Sequence, residues 1–223
     1  MKYPNITHGR FIERLNRFIA HVEVNGSCEA VHVKNTGRCR ELFLPGADIW
    51  LTAPETEGRK TKYDLVSVRK RNGILINVDS QAPNAVVREW LEKQQYDLIR
   101  SEYTYGDSRI DFCLQRKNER TLMEVKGCTL EVDGIGYFPD APTERGVRHL
   151  HELAKAVKDG YRAVLAFVIQ MNGITEVRPN IQTHPEFGAA LKEAQAAGVS
   201  VWFLPCHVEP DGLWVIEAGG SSG

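Results

Sequence analysis

The 223-residue sequence predicts an α/β protein in two parts: a small all-β barrel, then a mixed sheet flanked by helices. Three observations carry this prediction. Between Arg10 and Ser80, short apolar or alternating runs are separated by turn residues. The pattern breaks at "QAPN", and beyond it strand-like runs alternate with helical periodicity. A chain this long exceeds the usual single domain, so two compact units are expected, residues 1–82 and 83–223.

In the first part the expected strands are "FIAHVEV", "EAVHVK", "ADIWLTA", "YDLVSVRK" and "GILINV". They are divided by "NGS", "LPG", "PETEG" and "RNG", whose Gly, Asn and Pro supply the backbone angles of tight turns. "RCRELFL" interrupts them with residues suited to a single helical turn. Five short strands fit a closed barrel of the OB-like kind, whose usual ligands are oligonucleotides or oligosaccharides. Periodicity fits any other small barrel equally.

In the second part "NAVVREWLEKQQ" predicts a helix, with Pro83 at its start and Asn84 as N-cap. There follow strands "LIRSEYTY", "RIDFCLQ" and "TLMEVKGCTL", helix "TERGVRHLHELAKAVKDG", strand "YRAVLAFVIQM", helix "PEFGAALKEAQAAG" and strand "VSVWFLPC". That order, α-β-β-β-α-β extended by α-β, predicts a meander joined by right-handed crossovers to a parallel part of one mixed sheet. No repeat is present, and the final "GGSSG" reads as a flexible tail.

Composition excludes several classes. Apolar and charged fractions of 42% and 26% are those of a globular protein, not of a disordered or collagen-like one. No apolar run approaches the roughly 18 residues needed to span a bilayer. The start, "MKYPNITHGRFIERL", has no basic flank, apolar core and small-residue cleavage site, so the expected home is the cytoplasm. Cys28, Cys39, Cys113, Cys128 and Cys206 are widely spaced with no C-x-x-C pair, which predicts reduced thiols and neither a zinc site nor a disulfide framework. Residues 1–82 hold 13 Lys and Arg against 9 Asp and Glu, and the remainder 15 against 20. A basic part joined to an acidic part suits backbone binding in one and metal binding in the other, although chance accounts for the asymmetry as well.

The stretch "SRIDFCLQRKNERTLMEVKG", Ser108 to Gly127, puts charges where two strands normally carry core. Side chains alternate across a strand, so Asp111 shares a face with Arg109 and Cys113, leaving Ile110, Phe112 and Leu114 for the other. In the next strand Glu124 and Lys126 share a face with Leu122 and Cys128. With "RKNER" as the hairpin turn, Asp111 and Glu124 can lie side by side. Two such carboxylates repel unless a cation lies between them. A hard divalent ion, Mg2+ or Mn2+, removes the repulsion, taking a carboxylate or two and completing its shell with water and phosphate oxygen. Lys126 beside it could orient or deprotonate an attacking water, or neutralise charge in a phosphoryl transition state. A surface sheet face with an acid–lysine cross-strand pair explains the same residues without a metal. Glu-x-Lys alone is expected about once by chance in this length.

The Asp111…Glu124-x-Lys126 arrangement within α-β-β-β-α-β resembles the PD-(D/E)xK nuclease superfamily. More closely, "NTGRCREL", "SRIDF", "MEVKGCTL" and "FPDAPTERGVRHLHEL", distributed from Asn35 to Leu153, are together similar to the sugar fermentation stimulation protein A family. The resemblance implies an OB-like N-terminal domain, a nuclease-like C-terminal domain, DNA binding without marked sequence preference, and a regulatory link to sugar, particularly maltose, utilisation. It implies that Asp111 and Glu124 are metal ligands and Lys126 the catalytic lysine. Two departures occur: Cys39 stands where Met is usual in the family, and Gly127 follows the lysine where a polar residue is common. Neither removes a charged site residue.

Other residues suit the same function. In "TERGVRHLHELAKAV", Thr143 is the expected N-cap, and Val147, Leu150, Leu153, Ala154 and Val157 the buried stripe. Arg145, Arg148, Glu152 and Lys155 then lie on the open face, where Arg145 and Arg148 could hold phosphates, or Arg148 could simply pair with Glu152. His149 and His151 fall on different helix faces and make poor joint metal ligands. Glu89 and Glu102 are candidates for a third acid. In the barrel, Lys34, Asn35, Thr36, Gly37 and Arg38 ("KNTGR"), Arg59, Lys60 and Lys62 ("GRKTK"), and Arg69 and Arg71 ("VRKRNG") interleave cations with Trp50 and Tyr63. That combination suits DNA-backbone tracking with base stacking, and equally a set of solvated turns. The leading expectation is a DNA-binding protein with a metal-dependent nuclease site. The alternatives are a non-catalytic DNA-binding regulator of sugar metabolism and an oligosaccharide-binding barrel. No helix-turn-helix is evident, which disfavours sequence-specific control.

Overall fold

Gly9 and Phe11 are the inward-facing positions of a strand hidden by the charges around it, β1 (Ile6–Arg14). The computed structural model, which describes residues 1–35, 37–55 and 58–216, opens on this strand. Thr36 and the "GGSSG" tail lie outside the described residues. After β1 come β2 (Ile19–Val24), β3 (Ser27–Val33), β4 (Asp48–Thr52), β5 (Asp64–Arg69) and β6 (Leu75–Asn77). Sheet order is β3-β2-β1-β4-β5-β6, and a parallel pairing of His32 with Asp64 and Val33 with Leu65 joins β3 to β5 and closes the barrel.

The closed set is therefore β1 to β5. "GILINV", expected as a barrel strand, is β6, which pairs only with β5 as a hairpin. β1 was hidden because one of its inward positions is a glycine. A Cβ at position 9 would lie 2.7 Å from the Glu23 carbonyl oxygen, so a side chain is excluded where β1 and β2 approach. Ala20, Val22, Val31, Val33, Ile49, Leu51 and Leu65 fill the interior. Between β3 and β4 the Cys39 carbonyl accepts from the Leu42 and Phe43 amides, the single helical turn that "RCRELFL" predicts.

The second part contains α1 (Ala82–Leu91), β7 (Leu98–Tyr105), β8 (Ser108–Arg116), β9 (Glu119–Cys128), β10 (Leu130–Val132), β11 (Ile135–Phe138), α2 (Glu144–Lys158), β12 (Arg162–Ile169), β13 (Val177–Pro179), α3 (Pro185–Ala196), β14 (Ser200–Glu209) and β15 (Gly212–Val215). One mixed sheet runs β15-β14-β12-β9-β8-β7. Its β7-β8-β9 meander is antiparallel, and β9, β12 and β14 are mutually parallel. β12 is buried on both faces from Ala163 to Ile169, as a central parallel strand must be. A small second sheet, β10-β11-β13, and the edge strand β15 are additions to the expected order. At three or four residues each, they are too short to show a period.

Two local expectations are corrected. α1 begins at Ala82, so Asn84 is inside the helix and does not cap it; the Asp79 carboxylate instead accepts from the Gln81 amide just upstream. α2 does start after Thr143, whose hydroxyl accepts from the Gly146 amide at 3.0 Å. Its buried face, however, is Gly146, His149, Leu150, Leu153 and Ala156, with Val147, Ala154 and Val157 only partly covered. Gly146 packs close to the cap, where a Cβ would lie 2.8 Å from the Thr143 methyl group.

The two parts meet through buried polar contacts. Gln170, just past β12, donates to the Asn77 side chain at 2.9 Å and to the Asp79 carbonyl at 3.1 Å. Tyr3 donates to Asp79 and accepts from Asn77; burial first, then the Asp79 charge, raises its phenol above the ordinary range. Lys70, after β5, donates to the Glu131 carboxylate of β10 at 2.5 Å, and Asn72 adds a bond at 3.1 Å. Residues 1–3 run along β15, with Tyr3 donating to the Asp211 carbonyl at 2.7 Å.

Gly127 lies at this junction. A Cβ there would be 2.7 Å from Pro83 Cγ and would collide with the Gln170 carboxamide oxygen. Gly127→Ala should therefore destabilise the protein by about 1–3 kcal/mol, the usual cost of overpacking, read as a lower urea midpoint. Burial raises the Glu131 carboxyl, but the Lys70 bond and charge and the Gly134 amide outweigh it, leaving Glu131 below its ordinary value of 4.5. A carboxyl depressed on folding adds stability above its unfolded value and loses it as pH falls through the folded one. Glu131→Gln should thus be less stable than the parent near neutrality, with the difference in melting temperature shrinking below about pH 4. A constant difference across pH would exclude this ion pair as its source.

Candidate functional site

The registered ladder between β8 and β9 ends at Phe112–Met123. One step further Asp111 stands opposite Glu124, and the Asp111 carboxylate accepts the Val125 amide at 2.7 Å where a backbone carbonyl would otherwise do so. Its other oxygen accepts from Asn84 of α1 at 2.8 Å. Burial, then the Glu124 charge, raises the Asp111 carboxyl above its ordinary value, partly offset by these two donors.

Glu124 is only 2% exposed. Its Oε1 accepts from Lys126 Nζ at 2.6 Å and from His149 Nδ1 of α2. Burial pushes this carboxyl up, but the His149 bond and the Lys126 charge push harder, so it lies below its ordinary value. His149 is held from the far side, its Nε2 accepting from Arg145 Nε at 3.3 Å, an arrangement that fits a proton on Nδ1. Glu124 Oε2 is buried and has no hydrogen-bond partner. An orphaned carboxylate oxygen beside a second carboxylate is a place where a hard cation fits. Among the described residues no group of three or more His, Cys, Asp or Glu has metal-ligand geometry, so the protein would supply two carboxylates and leave the rest of the shell to water and substrate.

The candidate third acids lie elsewhere. Glu89 accepts the Met1 amino group at 2.7 Å, and exposed Glu102 pairs with Arg109 at 2.8 Å. Of the basic candidates, Lys34 is 3.2 Å from buried Asp79, and Arg59 is paired with buried Asp64. Asn35 donates to the Val78 carbonyl at 3.0 Å and accepts from the Gly37 amide at 2.7 Å, shaping the loop. Arg69 lies over the Trp50 ring at 5.2 Å and Lys62 over Tyr63 at 4.9 Å. Arg38, Lys60, Arg71 and Arg148 are exposed, and among the described residues none is in an ion pair, the Arg148–Glu152 pair included. Sequence reasoning missed Asn84 and His149. His149 had a usable signal, lying three residues after Gly146 and four before Leu153 on the buried side of the helix.

Fold and site together define a class: a small closed barrel joined to a curled mixed sheet that carries an acid pair and a lysine. Two family models match the chain, the SfsA N-terminal OB domain over residues 12–78 and the sugar fermentation stimulation protein RE domain over residues 81–212. The chain belongs to the sugar fermentation stimulation protein family. A homologue from Desulfitobacterium hafniense (strain DSM 10664 / DCB-2) is 53% identical over 222 residues, covering 98% of this chain and 96% of that protein. One from Ruminiclostridium cellulolyticum is 50% identical, covering 97% of each. A solved structure of Pyrococcus furiosus SfsA in complex with Ca2+ superposes with a TM-score of 0.83 at 28% identity, covering 98% of each chain. No helix of the described residues is long and apolar enough to cross a membrane.

Proposed function

We propose that this chain binds DNA with little sequence preference and hydrolyses its phosphodiester backbone with a divalent ion, Mg2+ or Mn2+, held by Asp111 and Glu124. The observation that carries the reading is the buried, unpartnered Glu124 Oε2 beside Asp111, with Lys126 on the other oxygen. The Ca2+ in the Pyrococcus furiosus relative is an ion of the same hard, oxygen-seeking class. Free thiols and a DNA ligand fit a reducing compartment, the cytoplasm.

A bound divalent ion would polarise the scissile phosphate and make a water more acidic. The residues of the chain do the rest. Asn84 and the Val125 amide fix Asp111, while His149, backed by Arg145, fixes Glu124, so both carboxylates are oriented before substrate arrives. Lys126 sets its ammonium beside the acids, where it can orient the attacking water and oppose the negative charge that grows on the phosphoryl oxygens. Water oxygen bonds to phosphorus and gives up a proton to solvent, the P–O ester bond breaks, and the departing alkoxide takes up a proton from solvent, so none is consumed overall. Arg148, exposed on the same helix as His149, suits the flanking phosphates. A second reading, DNA binding in the service of sugar-metabolism control without cutting, is favoured by Glu124 already having Lys126 and His149 as partners.

End-labelled single- and double-stranded DNA, incubated with the protein and Mg2+, Mn2+ or chelator, separates the two. Metal-dependent cutting that Asp111→Ala abolishes is the expected result; binding without cutting in every condition supports the second reading. Lys126→Ala should cut the rate by about 10²- to 10⁴-fold and leave DNA affinity unchanged. Undiminished cleavage would remove the lysine from the chemistry. Mn2+ should raise the melting temperature of the parent and not of Asp111→Ala, a readout independent of cleavage. Arg38→Ala should weaken binding and lower the log–log salt slope by about one, checked by titration at several salt concentrations.

A further inference from the structure

Arg14, at the end of β1, donates every guanidinium N–H to a backbone carbonyl. Its acceptors are Asn16 at 3.2 Å, Arg17 at 2.8 Å, Asn35 at 2.5 Å, Gly37 at 2.8 Å and Arg38 at 3.0 Å. Its charged end also lies 5.1 Å from the centre of the Phe43 ring, which stacks on Phe11. A residue so fully engaged cannot be a phosphate ligand. It ties the β1–β2 turn to the loop after β3 and draws three other arginines together. Arg17, Arg38 and Arg40 line the resulting open cleft of about 410 Å3; all three are exposed, and among the described residues none is in an ion pair. Asp140, which accepts from the Arg38 amide, is the acid facing this patch.

Phe18 follows Arg17 in sequence, just outside the lining of this cleft. By alternation from buried Ala20 and Val22 it falls on the inward side of the barrel, yet at the rim it is 51% exposed. A large aromatic half in water, adjoining arginines that have no ion pair among the described residues, has the composition of a stacking platform over a phosphate track. We infer that the rim formed by Arg17, Phe18, Arg38 and Arg40, organised by Arg14, is a seat for a single-stranded oligonucleotide. The arginines take the phosphates, and an unpaired base stacks on Phe18. A duplex offers phosphates but keeps its base faces stacked inside the helix, so only an unpaired strand uses the whole seat. The inference rests on the DNA-binding reading and adds to it the form of the strand and the residues that select it.

The test is anisotropy titration of the full chain, in chelator, with labelled oligothymidylate, an abasic strand of equal length, and a hairpin duplex. Phe18→Ala and Arg17→Ala are compared with the parent after circular dichroism confirms folding; both side chains are exposed. The expected result is that Phe18→Ala weakens oligothymidylate binding about tenfold, the effect of losing one base–aromatic stack, and leaves the abasic strand and duplex unchanged. Arg17→Ala should weaken all three. Equal affinity of the parent for oligothymidylate and the abasic strand, or a Phe18→Ala protein that binds oligothymidylate like the parent, overturns the inference while leaving DNA binding standing. Failure of the parent to bind any of the three overturns both.

Discussion

The absence of a side chain at Gly127 is the constraint on which the rest of the molecule turns. Through that gap Pro83 and Gln170 both come against β9, and each brings something with it. Pro83 carries the first turn of α1, hence Asn84, to Asp111. Gln170 satisfies the carbonyl of Asp79 and the side chain of Asn77, and so fixes the segment linking barrel to sheet. A glycine immediately after the lysine is therefore what allows the helix to approach the acids.

The acid pair illustrates how a fold can hold an unfavourable arrangement. A buried carboxylate beside a half-buried one opposes its ionisation, and the protein answers asymmetrically. Glu124 receives a cation and an imidazole and is held ionised, whereas Asp111 receives only neutral donors and remains the easier of the two to protonate. The partners on Glu124 converge on one oxygen. The surrounding elements thus stabilise the carboxylate through Oε1 and leave buried Oε2 without a hydrogen-bond partner, unlike a fully satisfied buried ion pair.

Much of this was legible in the sequence, and the failures have physical causes. The order of the main helices and strands after Ala82, the Thr143 cap and the turn after Cys39 followed from local chemistry, whereas short β10, β11, β13 and β15 did not. β1 did not, because Gly9 occupies an inward position that alternation expects to be apolar and large. Nor did the face of α2: apolar periodicity alone pointed to Val147 and Val157, and the buried face also takes in Gly146 and a histidine whose partner is 25 residues away. Sequence placed cations at Lys34 and Arg59, but could not reveal that buried Asp79 and Asp64 already hold them. The arginine rim escaped for the converse reason, since Arg14, Arg17 and Arg40 look unrelated until two loops are folded together.

Residues 1–3 lie along the last strand, Lys2 reaching Asp211 across 209 positions of chain. On the ribosome that pairing cannot form until position 211 has emerged. At roughly 5–20 residues per second, the opening segment waits about 10–40 s for its partner to emerge. The barrel can close earlier, from strands near one another in sequence, but the edge formed by β15 is completed only by returning to residues 1–3. Order along the chain and order of assembly consequently part company at this edge of the sheet.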